Sequence, residues 1–575
     1  MRPLLLVLLL GLLLPTAGCA SRSANHLAEA RAMDTRALVG QLFLLTFPGL
    51  EYSGEVKRLV EEDKVGGLML YGVSGNTAPP GQLRRFSSEV QRAARDHGLP
   101  PVLLAVDQEG GAVQRLRRGF TRLPSNMAVA AAGEPENARR LADLAAQELE
   151  ASGVNCNLAP VVDVNSNPDN PIIGTRSFGS DPSKVGQYGL AAIQGYGQGG
   201  VLCSAKHFPG HGDTDVDSHL GLPRIKADRA RLERVELPPF RAAMEANVPL
   251  VMTAHVAAPA LTGEPDLPAT LSPEVLTGLL REDMGFEGVV VTDSLFMGAI
   301  MEKYGPKEAA LRAFEAGADL LLFGADLYVR GRGEETAALQ RGAMRGLEDA
   351  VRSGRIPRAE VERRVARVLA AKERLPSGEF ASGDPKVLSA RAGSPEHARL
   401  AFSVASKALT LVRDEPGFFP LPSGGGLTVL FPESVPDVSD AFAEHLPWAE
   451  TLAYPDDPSE SEVDALAEQV GERVLLCTLD AGRDPGQSEL RRALGEKEVA
   501  VAALGSPYDA LHLEGTGTYL ACYGPHPGCL DALARFTAGE TRAQGRLPVD
   551  LPGVAPRGAG QFSGEPSPVP SPGSP

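Results

Sequence analysis

The sequence predicts an α/β protein in two parts, a (β/α)₈ barrel of the TIM type followed by a smaller α/β sandwich domain. From residue 41, short Val-, Leu- and Ile-rich runs alternate with longer amphipathic stretches, the pattern of repeated βα units around a parallel sheet. Eight such runs precede a Gly/Ser/Pro-containing passage, and eight is the number that closes one barrel. A second, shorter series of apolar runs then restarts beyond that passage. The 575 residues are 43% hydrophobic and 22% charged, an ordinary globular balance with room for two or three domains. Fifty-six Lys and Arg against 73 Asp and Glu leave a net charge of −17, which repels a phosphate backbone over much of the surface, so nucleic acid is not an expected partner.

At the start, Arg2 precedes an apolar run from Leu4 to Leu14 and then Pro15-Thr16-Ala17-Gly18-Cys19. A charged start, a short greasy core and a small-residue end make residues 1–18 read as a signal peptide, too short to span a bilayer, which takes about 20 apolar residues. Ala17 and Gly18 directly before Cys19 look like a lipoprotein processing site, with Cys19 lipidated and residues 19–33 a tether; Thr16 departs from the Leu usual at its position. A plain signal cut nearby is the alternative. Either way the protein is expected to be exported; as a lipoprotein it is expected to be held to the cell envelope through its lipid, facing the periplasm or the exterior. No later apolar run reaches 18 residues.

The barrel is expected over residues 34–375, with strands at Gln41–Phe47, Gly66–Tyr71, Val102–Asp107, Asn155–Val161, Val201–His207, Leu250–His255, Val289–Asp293 and Asp319–Phe323. Helical stretches between and after them include Gln82–Asp96, Pro135–Ala151, Pro182–Gln198, Arg229–Ala246, Pro306–Ala316, Glu334–Ser353 and Arg358–Glu373. Residues 376–395 read as a linker and 396–552 as the second domain. In that domain, strands are expected at Ala408–Val412, Thr428–Phe431, Val474–Leu479, Val499–Ala503 and Thr518–Ala521. The Pro-, Gly- and Ser-rich end, 553–575, is expected to be disordered. The cysteines form no disulfide framework; Cys522 and Cys529 could close a small loop or stay as two buried thiols.

Ionisable residues fall where a barrel enzyme needs them. Asp107, Lys206-His207, His255 and Asp293 all sit at the C-terminal ends of predicted strands, the face on which such barrels build active sites. The stretch Lys206-His207-Phe208-Pro209-Gly210-His211-Gly212-Asp213-Thr214-Asp215-Val216-Asp217-Ser218-His219 holds three histidines and three aspartates in fourteen residues. It lacks the helical spacing of a zinc site and is broken by Gly and Pro, so no metal is expected. If locally extended, Asp217 and His219 point the same way, and the carboxylate can orient the imidazole and stabilise its protonated form. Asp107-Gln108-Glu109-Gly110-Gly111 sets a strand-end carboxylate beside two glycines, a combination that lets backbone approach a hydroxyl-rich ligand. Val289–Asp293 is a buried strand ending in a carboxylate that could attack an electrophilic carbon.

Together these three segments resemble the family 3 glycoside hydrolases and their β-N-acetylglucosaminidase (β-N-acetylhexosaminidase) branch, over about Asp34 to Leu375. The resemblance implies a retaining exo-β-N-acetylglucosaminidase that needs no metal or organic cofactor and removes terminal GlcNAc from peptidoglycan fragments (muropeptides) or chitooligosaccharides. It implies Asp293 as the nucleophile that forms a covalent glycosyl-enzyme intermediate, and His219, paired with Asp217, as the general acid/base. It further implies that Asp107, Arg115, Arg176, Lys206 and His207 bind the sugar. Ser294 stands where a second Asp is common in the family. His211 and His255 are as readily satisfied structural histidines. The segments Gly505-Ser506-Pro507-Tyr508-Asp509 and Gly545-Arg546-Leu547-Pro548-Val549 resemble the α/β sandwich of longer members, a domain expected to be structural and to help frame the site. Competing readings are a β-glucosidase or broader β-glycosidase on the same scaffold, and a noncatalytic cell-wall-binding lipoprotein.

Overall fold

The computed structural model describes residues 16–376, 388, 391–421 and 426–561. In the first part lie β1 (Phe43–Thr46), β2 (Gly67–Met69), β3 (Leu103–Val106), β4 (Gln108–Gly110), β5 (Val113–Gln114), β6 (Cys156–Asn157), β7 (Leu202–Phe208), β8 (Leu250–Thr253), β9 (Val289–Val291) and β10 (Leu321–Phe323). Eight of them form one all-parallel sheet in the order β10-β1-β2-β3-β6-β7-β8-β9. A parallel bridge between Val291 and Leu320 joins the two ends and closes the barrel. All eight predicted strands are present. The unforeseen pair, β4 and β5, is a small antiparallel ribbon directly after β3.

The strands read as unbroken apolar runs because both faces are covered. Leu44, Met69, Leu103, Cys156, Leu202, Leu250, Val289 and Leu322 fill the barrel interior, while their neighbours Phe43, Leu45, Leu68, Leu104 and Val290 pack outward on the helices. Side chains alternate along a strand, so two residues beyond Met69, Ala105, Ser204 and Val291 the same face carries Tyr71, Asp107, Lys206 and Asp293 to the barrel mouth. At the opposite end, buried Asp319 binds Arg281 and Arg367 and accepts from the Val290 N–H, a cluster that ties the barrel base together.

The helices Pro135–Ala151, Pro182–Gln198 and Arg358–Glu373 have the expected bounds. The expected helix Arg229–Ala246 is broken into Arg229–Arg234 and Pro238–Glu245, because Pro238 and Pro239 cannot continue the hydrogen-bond ladder. The expected tether also differs: Thr16–Ala32 is helical, with Ala30 buried and His26 Nε2 3.4 Å from Glu373, so it lies on the last barrel helix. Its Ala-rich composition accounts for the helix. Residues 1–15, most of the expected signal peptide, lie outside the described residues. So do 377–387 and 389–390 of the linker; the rest of the linker is pinned, with the Gly393 N–H donating to Glu148 Oε1 at 2.9 Å.

The second domain contains β11 (Thr410–Asp414), β12 (Thr428–Pro432), β13 (Glu450–Tyr454), β14 (Arg473–Thr478), β15 (Glu498–Ala503) and β16 (Thr518–Ala521), in the order β11-β16-β15-β14-β12-β13. All neighbours are parallel except β11 and β16. Apolar clusters on both faces of this sheet give the expected α/β sandwich. Cys522 and Cys529 are buried free thiols. The expected disorder from 553 is corrected for residues 553–561: Leu547 N–H donates to Ala559 O at 2.9 Å and Gln561 N–H to Leu411 O at 2.8 Å. Backbone pairing to β11 holds a segment whose composition alone argues for disorder. Residues 562–575 lie outside the described residues.

One barrel segment belongs to both domains. The helix Asn126–Ala131, capped by Ser125, places Met127, Ala128 and Ala131 in a core of the second domain. The Ser125 hydroxyl donates to Tyr523 O at 2.6 Å, and the Arg546 N–H to Ala131 O at 3.0 Å.

Candidate active site

A cavity of about 800 Å³ opens at the C-terminal end of the barrel strands. Asp107, Glu109, Arg115, Arg176, Lys206, His207, His219 and Asp293 line it from the barrel, and Asp480, Arg483, Tyr508 and His512 line it from the second domain. The structure therefore gathers all the expected site residues of the barrel at one cavity, apart from Asp217, which stands behind His219.

Its floor is a buried ion cluster. Lys206 Nζ lies 2.7 Å from both Asp107 Oδ1 and Glu109 Oε1, and Arg176 grips Glu109 through two parallel bonds of 2.9 Å. Burial alone would lift the Glu109 carboxyl, but Arg176 and Lys206 outweigh it and hold the group far below the usual range. Burial likewise opposes charge on Arg176 and Lys206, and the facing carboxylates hold both above their ordinary values. Glu109 is the residue the sequence reading missed: it sits on β4, at the interior-facing position two residues after Asp107. Removing one member of a buried pair strands the others, at a cost of about 3–5 kcal/mol. Glu109→Ala is expected to lose that much stability in chemical denaturation. A loss no larger than that of an exposed pair, about 1 kcal/mol or less, would show the cluster to be hydrated and weak.

Arg115 is free of this cluster, exposed at the cavity wall with its guanidinium 6.0 Å from the centre of the Tyr71 ring. His207 is fixed on both sides. Arg176 Nη2 donates to its Nε2 at 3.3 Å, which leaves the Nδ1 proton to face Asp163 Oδ2 at 2.7 Å. Buried Asp163 also accepts from the His207 and His211 N–H groups. Glycine is demanded in this loop: a Cβ at Gly212 would stand 1.8 Å from Val164 O, and Gly210 has φ 130°.

His219 shares a 2.9 Å hydrogen bond through Nδ1 with Asp217 Oδ1, and the same oxygen accepts the His219 N–H at 2.8 Å. The pair is made within a turn, closed by the Leu220 and Gly221 N–H groups on Asp217 O, and not through the alternation of an extended segment. With the imidazole half exposed, the pair adds little to stability; its effect is on orientation and proton affinity. The Asp217 hydrogen bond, helped by Asp293, raises the His219 imidazole above its usual value, and the same bond lowers Asp217.

Asp293 follows β9, and its Oδ1 accepts the Ser294 N–H at 2.7 Å. Burial works against its charge, yet His255, His207 and His219 together with that N–H hold the carboxyl below its ordinary value. Ser294, at the cavity lining, brings no second acid: its hydroxyl donates to Asp326, a carboxyl raised by burial at the cavity edge.

His211 and His255 are structural. His211 bonds Thr214 Oγ1 at 2.8 Å and Ser218 Oγ at 3.1 Å, and burial lowers it to about 4. His255 bonds Thr270 Oγ1 and Ser294 O, both at 2.9 Å. Beside this loop lies Glu236, buried against Gly210, with no protein partner for either carboxyl oxygen. Burial, then Asp213, raises it to about 8. A carboxyl raised on folding stabilises the fold while protonated and loses that contribution as pH climbs from its ordinary value to about 8. Denaturation at pH 5 and pH 9 should therefore show a fall in stability that Glu236→Gln largely removes. An unchanged fall would place its origin elsewhere. Among the described residues, no group of three or more His, Cys, Asp or Glu is arranged to hold a metal ion.

Charged donors and acceptors crowd this cavity at the mouth of a (β/α)₈ barrel, a lining suited to the many hydroxyls of a carbohydrate. The model of the glycosyl hydrolase family 3 N-terminal domain matches residues 35–371, and the chain belongs to this family of glycoside hydrolases. It is 34% identical over 454 residues to beta-hexosaminidase A of Pseudoalteromonas piscicida, covering 73% of each chain. It is 40% identical over 291 residues to a beta-hexosaminidase of Alkalilimnicola ehrlichii, covering 50% of this chain and 80% of that one. The solved structure of a family 3 β-N-acetylglucosaminidase from Paenibacillus sp. str. FPU-7 superposes with a TM-score of 0.81 at 37% identity, over 90% of this chain and 99% of the other.

Proposed function

We propose that the protein is a retaining exo-β-N-acetylglucosaminidase that removes terminal β-linked GlcNAc from peptidoglycan fragments or chitooligosaccharides. The observation that carries this reading is His219, raised by Asp217 and facing the cavity that holds the ionised Asp293. Asp293 attacks the anomeric carbon as protonated His219 donates to the departing oxygen, leaving a glycosyl ester on Asp293. Neutral His219 then takes a proton from water, which opens the ester with overall retention. Asp107, Arg176, Lys206, His207 and Arg115 hold the sugar ring. The wall from the second domain, where Arg483 donates to Pro171 O, supports action at chain ends.

Hydrolysis of the 4-nitrophenyl β-glycosides of GlcNAc and glucose by the mature protein tests this. A strong GlcNAc preference is expected. Equal or better turnover of the glucoside would make it a β-glucosidase, and no turnover of either would favour a noncatalytic wall-binding protein.

We further propose export and lipid attachment at Cys19, supported by the sequence of residues 1–19. Metabolic labelling with an alkynyl fatty acid should mark the wild type and spare Cys19→Ser; equal labelling of both would refute attachment there. No helix among the described residues is long and apolar enough to cross a membrane.

A further inference from the structure

Six large apolar side chains stand well exposed among the described residues, and four of them gather on the loops beside the cavity: Val73 at 58%, Val216 at 40%, Leu220 at 76% and Val329 at 73%. They come from three separate connections, those following β2, β7 and β10. Val73 and Val329 line the cavity itself, and the helical turn Asp326–Val329 packs on the turn Gly72–Ser74. Arg330, next after Val329, donates from Nη2 to His219 O at 2.8 Å, which ties this turn to the loop bearing Leu220. Val216 lies at the start of the same loop, beside Gly221.

Scattered exposed apolar residues need no explanation, but apolar side chains exposed together on adjoining loops at the rim of a polar cavity mark a place where something binds. Its position says what. His219 must lie against the oxygen of the bond being cleaved, and the group that leaves with that oxygen departs on the His219 side. Leu220 directly follows His219, so the rim flanks the leaving group and not the GlcNAc held on the Asp107, Arg176 and Lys206 cluster.

Resting on the hexosaminidase reading above, we infer that Val73, Leu220 and Val329, with Val216 behind them, form a leaving-group subsite for aglycones that present an apolar surface. Its polar neighbours fix the terminal sugar, whereas the rim grips whatever follows by area alone. Selectivity there is broad in chemical detail and graded by apolar area.

Alkyl glycosides isolate this effect, because methyl and hexyl β-GlcNAc have leaving groups of nearly equal basicity and differ in apolar area. For the wild type, kcat/KM for the hexyl glycoside should exceed that for the methyl glycoside by about tenfold or more. The triple variant Val73→Ser, Leu220→Ser, Val329→Ser should bring the ratio close to one, and Leu220→Ser alone should lower it in part. A ratio taken within each protein is insensitive to the fraction of active enzyme, so partial misfolding cannot imitate the result. Equal rates on the two glycosides in the wild type, or a preference that survives in the triple variant, would overturn the inference. So would a wild-type ratio of one accompanied by self-association that the same substitutions abolish, which would assign the patch to a second copy of the chain. No turnover of any β-GlcNAc glycoside would instead strike the hexosaminidase reading, and this inference with it.

Discussion

Asp293→Ala is expected to lower kcat on 4-nitrophenyl β-GlcNAc by roughly 10⁴-fold or more, the scale seen when a nucleophile is removed from a site that otherwise still binds. The variant has a further, more diagnostic property. Alanine leaves the space of a carboxylate on the face of the sugar opposite the leaving group, and azide is small and anionic enough to occupy it. Attack by azide forms a carbon–nitrogen bond as the nitrophenolate leaves with its electron pair, and with no second displacement the product is the α-glycosyl azide. Nuclear magnetic resonance of the product distinguishes the anomers. A β-azide, or no response to azide, would remove Asp293 from the role of nucleophile.

For His219→Ala, the size of the loss should depend on the leaving group. Proton donation contributes about 10²- to 10⁴-fold when the departing oxygen is basic, and little when, as in a 2,4-dinitrophenyl glycoside, it leaves unaided. Formation of the glycosyl ester on the dinitrophenyl substrate should survive, and turnover should then stall at water attack, visible as a burst of dinitrophenolate. The pH dependence has a definite sign. Donation needs the protonated imidazole, so kcat/KM falls as pH rises past the His219 pKa. The hydrogen bond to Asp217 is the main cause of the raised value, so Asp217→Asn should move that alkaline limb to lower pH. A limb that stays in place would mean that some other group is the acid.

Much of this site was legible because barrel geometry converts a strand's alternation into position. Val289–Asp293 reads as a buried strand with a carboxylate two places beyond its last interior valine, and that is where Asp293 stands. Glu109 escaped because two glycines and a polar neighbour disguise β4 as loop, though the same two-residue step from Asp107 would have found it. Asp326 belongs to a single helical turn after β10 and shows no periodicity at all. The turn that brings Asp217 to His219 has no signature of its own, because a carboxylate two residues before a histidine fits a turn as well as an extended backbone. β13 was missed for a different reason: as an edge strand with Glu450 and Ala453 exposed, it lacks the apolar run that marked its neighbours. The cavity wall supplied by Arg483, Tyr508 and His512 depends on how two domains meet, which no local pattern encodes.

The helix Asn126–Ala131 has a bearing on heredity as well as on shape. Its apolar face is shared property: neither domain can be cut away without exposing Met127, Ala128 and Ala131 to water. The two halves should therefore melt in one transition on heating, and a proteolytic nick in the connector should not liberate a well-behaved barrel. A lineage that discarded the second domain would have to rewrite the exposed face of this one helix in polar residues.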